Sequence, residues 1–222
     1  MECKLTLSVF RFDATTDFLP YYKKHIVKIV AASKYVGSKE IRELYAEGQR
    51  AFGENKAQDM KEKSTELLDL PIEWHYLGRI QTNKINMILE MNPFLIHSID
   101  SYETAVEIDK RAKVKNTKIN ALLQINSAKE DSKSGIFPEE GYEEYIKITE
   151  NLSNIHLKGV MTIGAHTDDL RVVNDSFATC RKIFDSLKNY NPTICSMGMS
   201  SDYELAIANG STMVRIGSAL FK

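Results

Sequence analysis

The chain has 222 residues, 43% of them hydrophobic and 27% charged, with a formal net charge of −1 at neutral pH. That balance gives no general attraction to nucleic acid or to anionic membranes, and no apolar stretch approaches the roughly 20 residues of a membrane span. Met1-Glu2-Cys3-Lys4-Leu5 lacks the apolar core of a signal peptide, and Cys3, Cys180 and Cys195 form no CxxC or paired framework, so a cytoplasmic chain with reduced thiols is expected.

In chain order, a segment at 15–24 could form a helix, and the β-branched run 26–33 then reads as a buried strand. Further strands are expected at 51–53, 73–78 and 94–99. A helical stripe of Tyr102, Ala105, Val106, Asp109 and Ala112 follows, then a strand at 119–125. Pro138 suits a first helical turn, and Tyr142, Tyr145, Ile146, Thr149 and Leu152 form the next stripe. A strand at 156–162 leads into the strongest helix, 169–188, whose Val173, Phe177, Cys180, Phe184 and Leu187 recur at steps of four and three. Asn189-Tyr190-Asn191-Pro192 breaks it before a strand at 193–196. Ser201 and Glu204 have capping-box spacing, Gly210 stops the helix they begin, and 213–216 is the last strand.

Eight strands alternating with seven helices, with no linker or repeat, predict an α/β fold: a single-domain (β/α)8 TIM barrel with its core over about residues 26–221. A doubly wound open sheet is the alternative. The barrel is preferred because polar and glycine-rich segments cluster after strand ends, and in a barrel all such ends open on one face.

Lys34 follows the first strand. An amine there can condense with a carbonyl if a nearby cation or partial burial frees its lone pair; the plainer reading is a solvated turn lysine. Lys28 shares the parity of Lys34 but lies about 20 Å toward the opposite barrel end at ~3.3 Å per residue, which favours Lys34. Ser200-Ser201 after strand seven and Gly217-Ser218 after strand eight stand where barrels often bind phosphate; the plainer reading is a helix cap and a turn. Arg215 shares a face with Gly217, pointing deeper into the barrel mouth, where it could donate to a ring nitrogen or pair with a carboxylate such as Asp100. His25, His75, His97, His156 and His166 are dispersed without metal-ligand spacing, and His75 is expected to be a hydrogen-bonded barrel residue. A reactive lysine and a phosphate cradle at opposite ends of one chain suggest a phosphorylated aldehyde cofactor.

These residues stand in Ala31-Ala32-Ser33-Lys34, Phe52-Gly53-Glu54-Asn55, Trp74-His75-Tyr76-Leu77-Gly78-Arg79-Ile80-Gln81-Thr82-Asn83-Lys84 and His97-Ser98-Ile99-Asp100. They continue in Lys133-Ser134-Gly135, Gly159-Val160-Met161-Thr162, Ser196-Met197-Gly198-Met199-Ser200-Ser201-Asp202 and Val214-Arg215-Ile216-Gly217. In that order, over nearly the whole chain, they resemble the pyridoxal-phosphate homeostasis proteins, single-domain relatives of the alanine racemase N-terminal barrel. The resemblance implies that Lys34 holds pyridoxal 5′-phosphate as an internal aldimine. It implies too that Ser200, Gly217 and Ser218 bind the phosphate, that Arg215 faces the pyridine nitrogen and that Asn55 lies near the ring. The chain departs from the family in a shorter region before the first strand and in Ile163-Gly164-Ala165-His166 after Met161-Thr162.

The family is thought to buffer or deliver the cofactor, with no reaction firmly assigned. An arginine at the pyridine nitrogen leaves it unprotonated and a weaker electron sink, and the chain ends at Lys222 without the second domain that completes racemase sites. The expectation is a monomeric, non-catalytic cofactor carrier serving apoenzymes of pyridoxal phosphate. The alternatives are a small amino-acid racemase or related enzyme and, more distantly, a Schiff-base aldolase.

Overall fold

The computed structural model describes residues 26–130 and 133–221. The helix expected at 15–24 lies outside them. Eight strands form a closed parallel barrel in chain order: β1 (Lys28–Ala32), β2 (Ala51–Glu54), β3 (Glu73–Tyr76), β4 (Leu95–Ile99), β5 (Ile119–Gln124), β6 (Ile155–Met161), β7 (Ile194–Ser196) and β8 (Met213–Ile216). The intervening helices are α1 (Ser38–Ala46), α2 (Ala57–Glu66), α3 (Ile85–Glu90), α4 (Tyr102–Val114), α5 (Gly141–Asn151), α6 (Leu170–Ser186) and α7 (Tyr203–Ala208). Among the described residues no helix is long and apolar enough to cross a membrane.

The period-two alternation of each strand divides its side chains between two cores. Val30, Ala51, Leu95, Leu122, Met161 and Met213 meet inside the barrel. Their neighbours Ala31, Phe52, Ile96, Leu123, Val160 and Cys195 face outward into the larger core beneath the helices. Lys28 lies on the same parity as Val30. Its ammonium pairs with Glu73 and sits 4.5 Å from the centroid of the Phe94 ring, so its charge is used at the N-terminal end of the barrel, away from the mouth.

Three expectations change in detail. The buried face of α5 is Gly141, Tyr145 and Ile148, continued by Leu152, whereas Tyr142 and Thr149 are exposed. The Tyr145 hydroxyl donates to Leu157 O at 2.9 Å, which sets the helix rotation and brings Ile148 rather than Ile146 into the core. Pro138 stands in a turn three residues before α5 rather than in its first turn. In α4, Ile108 replaces Asp109 in the buried stripe, because the Asp109 carboxylate accepts the Asn154 amide at 2.8 Å.

Strand β6 carries one extra residue against β5: Ala121 pairs with Leu157, but Leu123 pairs with Val160. Gly159 occupies the bulge at φ +143°, and a Cβ there would lie 1.9 Å from Ile194 O. Gly159→Ala is therefore expected to destabilise the fold by on the order of 2–4 kcal/mol in urea unfolding. A loss below ~0.5 kcal/mol would show that β6 and β7 can separate without cost.

Candidate binding site at the barrel mouth

Barrel closure makes neighbours of the first and last strands. Ala31 registers with Ile216, and a Cβ on Gly217 would stand 3.2 Å from Ala32 O. Chain segments almost a full length apart thus share one rim. Lys34 lies in the turn after β1 and is exposed, with its amine 4.6 Å from the centroid of the Tyr35 ring. Asn55 follows the end of β2, also exposed. Its backbone is set by Gly78, where a Cβ would fall 1.8 Å from Asn55 O.

On the β7–β8 side, the Gly217 amide donates to Ser200 Oγ at 3.2 Å, joining the two loops expected to cradle an anion. Ser218 is exposed in the next turn. The expected capping box of Ser201 and Glu204 is not formed. Helix α7 begins at Tyr203 with Asp202 at its N-cap, and the Asp202 carboxylate accepts the Met199 amide at 2.6 Å, pulling the chain into a turn before the helix. Burial pushes the Asp202 carboxyl upward, while the Met199 amide pulls it the other way.

Arg215 is buried and points into the barrel, as its parity with Gly217 requires. Its Nη1 donates to Ser196 O at 3.0 Å and Ser196 Oγ at 2.7 Å, and its Nη2 to Thr162 O at 2.8 Å. The Asp100 ion pair, open in the sequence, is not made. Asp100 accepts the Thr104 hydroxyl at 2.9 Å and faces Arg79 at 3.8 Å. Among the described residues, the hydrogen-bond partners of Arg215 are all neutral. Burial draws its guanidinium down to about 10, with Asp202 pulling upward, so it is a cation near neutral pH. A guanidinium carries five N–H donors, and these three bonds leave two.

Below it, Ser196 Oγ lies 3.3 Å from His97 Nδ1, and His97 Nε2 lies 2.8 Å from His75 Nδ1. His75 is thus the hydrogen-bonded barrel residue expected from sequence. Its partner was legible only after His97 had been placed two residues beyond Leu95, the β4 residue paired with His75. The other side of the mouth is braced by Lys133, whose ammonium donates to Gly164 O at 2.6 Å and to Glu130 Oε1 at 2.8 Å. The unusual Ile163–His166 segment is thereby held, with the His166 amide donating to the same Glu130 oxygen at 3.1 Å.

Burial is the main reason both imidazoles resist protonation. His75 is held down to about 3, with the Lys28 charge adding to the effect; His97 lies well below its usual value, with His75 and Arg215 adding. An unfolded chain protonates these rings near 6.5 while the folded one does not, so their contribution to stability is fully present above that pH. The His75 share is lost as pH falls from 6.5 toward 3, and the His97 share is lost as pH falls below 6.5 as well. Urea midpoints should decline over this window, and His97→Gln should flatten the dependence by roughly 1.4 kcal/mol per pH unit. An unchanged slope would mean that folded His97 takes up the proton.

Residues 20–222 match the family model described as "Alanine racemase, N-terminal domain". The chain is 52% identical over 202 residues to the pyridoxal phosphate homeostasis protein of Helicobacter pylori strain 26695, covering 91% of this chain and 90% of that one. It is 39% identical to the protein of the same name from Aquifex aeolicus, covering 89% and 87%. The structure of PipY from Synechococcus elongatus with pyridoxal phosphate bound superposes with a TM-score of 0.80 at 35% identity, covering 88% of this chain and 92% of that one. An alanine racemase of Clostridium difficile, at 19% identity and a TM-score of 0.73, shares the barrel over 87% of this chain and 52% of its own. The chain belongs to the alanine racemase N-terminal domain family and, within it, to the pyridoxal phosphate homeostasis proteins.

Proposed function

We propose that this chain binds pyridoxal 5′-phosphate at the barrel mouth, and that it buffers the cofactor and hands it to apoenzymes rather than turning over a substrate. The observation that carries the reading is Arg215: a buried cation whose described partners are neutral, with donors left over. Such a cation is costly to bury unless an acceptor meets it. The names of the relatives and the bound ligand of the PipY structure support the same reading.

When bound, the cofactor supplies an aldehyde that a primary amine captures as a Schiff base with loss of water. Lys34 supplies that amine from an exposed turn, where ligand can enter and leave. Ser200, Gly217 and Ser218 offer hydroxyls and amides to the phosphate, and the present Gly217–Ser200 bond marks donor and hydroxyl already side by side. Asn55 borders the ring. Arg215 donates to the pyridine nitrogen and keeps it unprotonated, which weakens the ring as an electron sink and suits carriage better than carbanion chemistry.

Purified protein mixed with the cofactor should show a visible band that persists without substrate and is lost in Lys34→Ala. Borohydride reduction and peptide mapping should tag Lys34, and a tag on another lysine would overturn the assignment. Transfer to an apoenzyme should run faster than spontaneous release. Saturable isomerisation of one amino acid, abolished by Lys34→Ala, would replace carriage with racemase activity.

A further inference from the structure

Behind the Lys34 turn, on the outer face of the barrel, lies a charged group that the binding site does not use. Glu54 ends β2, is fully buried and points toward α2. Its Oε1 accepts Ser33 Oγ and Lys63 Nζ, each at 2.7 Å. The same Lys63 ammonium, from the second half of α2, donates to Ser33 O at 2.9 Å. The Ser33 amide donates to Gly53 O at 3.0 Å, and Ser33 O also accepts the Val36 amide at 3.1 Å, which closes the turn around Lys34. Every polar atom of Ser33, the residue immediately before Lys34, is therefore held.

As a source of stability this arrangement is poor. A buried ion pair recovers its desolvation cost only when its remaining lone pairs are satisfied, and Glu54 Oε2 is buried without a hydrogen-bond partner. What the group does deliver is geometry. A carboxylate and an ammonium from two different elements meet on one serine and fix both the carbonyl and the hydroxyl at the root of the turn. An exposed lysine side chain has four rotatable bonds, so the position of its base decides how often the amine visits one place.

We propose that Glu54 and Lys63 are positioning residues for Lys34, setting the direction in which its amine leaves the barrel rim. The proposal rests on the reading of Lys34 as the amine that captures the cofactor aldehyde. Removing one charge would strand the other in the core, so the informative variant is the neutral pair Glu54→Gln with Lys63→Met, which keeps the shape of the first side chain and all but the terminal atom's length of the second.

Two ligands separate positioning from general damage: pyridoxal 5′-phosphate, and its 4′-deoxy analogue, which has the ring and phosphate but no aldehyde. With the paired variant folded as judged by circular dichroism, the visible band should form about ten- to a hundredfold more slowly, because a small displacement of a reacting group costs that much. Affinity for the deoxy analogue should be unchanged within about twofold, since ring and phosphate contacts do not pass through Ser33. Equal weakening of both ligands would show a structural role only, and wild-type rates for both would show no role; either overturns the proposal. Should the paired variant fail to fold, Ser33→Ala tests the same link and should slow band formation with the analogue unaffected; wild-type band formation, or equal weakening of both ligands, would overturn the proposal. Failure of the underlying reading is seen separately, as borohydride tagging of a lysine other than Lys34 in the unaltered protein.

Discussion

The pairing of β1 with β8 is the contact on which the rest depends. Four register partners, from Lys28 with Met213 to Ala31 with Ile216, close the sheet. Without it, Lys34 and Gly217 would belong to opposite edges of an open sheet. With it, an exposed lysine, a serine–glycine amide pair and a buried arginine occupy adjacent sectors of one rim. The closure also removes the free strand edges that an eight-stranded parallel sheet would otherwise expose.

Closure further creates an interior that must be filled, and this barrel fills it by polarity in layers. At the N-terminal end, Lys28 and Glu73 neutralise each other beside Phe94. The ring of apolar side chains around Val30 and Leu122 lies within the barrel. Two uncharged imidazoles and the Ser196 hydroxyl connect in sequence up to Arg215. Each charged group reaches the interior only where a partner or an opening to the mouth exists, as the cost of burying charge demands.

Much of this was legible beforehand because period-two strands carry their own direction. The eight strands follow from apolar, β-branched runs set between helical stripes, and the shared parity of Lys28 with Lys34 and of Arg215 with Gly217 follows from alternation. What was illegible depended on contacts between distant elements. Whether Arg215 met Asp100 or backbone acceptors required knowing that Ser196 and Thr162 come beside it across β7 and β6. The Ser201–Glu204 spacing looked like a capping box, but Asp202 turned inward to the Met199 amide and took the cap position. Glu54 was read only as part of a motif, and Lys63 was not singled out. An outward-facing carboxylate becomes a buried one only once a helix is laid over it.

The contact of Gly78 with Asn55 O has a consequence for how this rim can diverge. Backbone meets backbone there, with a hypothetical Cβ only 1.8 Å from the carbonyl oxygen, so no other residue can enter without moving a strand end. The same holds at Gly159 against Ile194 O. Such positions give a lineage nothing to adjust in small steps. Variation at this rim is left to exposed side chains, Tyr35 and Ile163 among them, which no backbone atom hems in as it does Gly78 and Gly159.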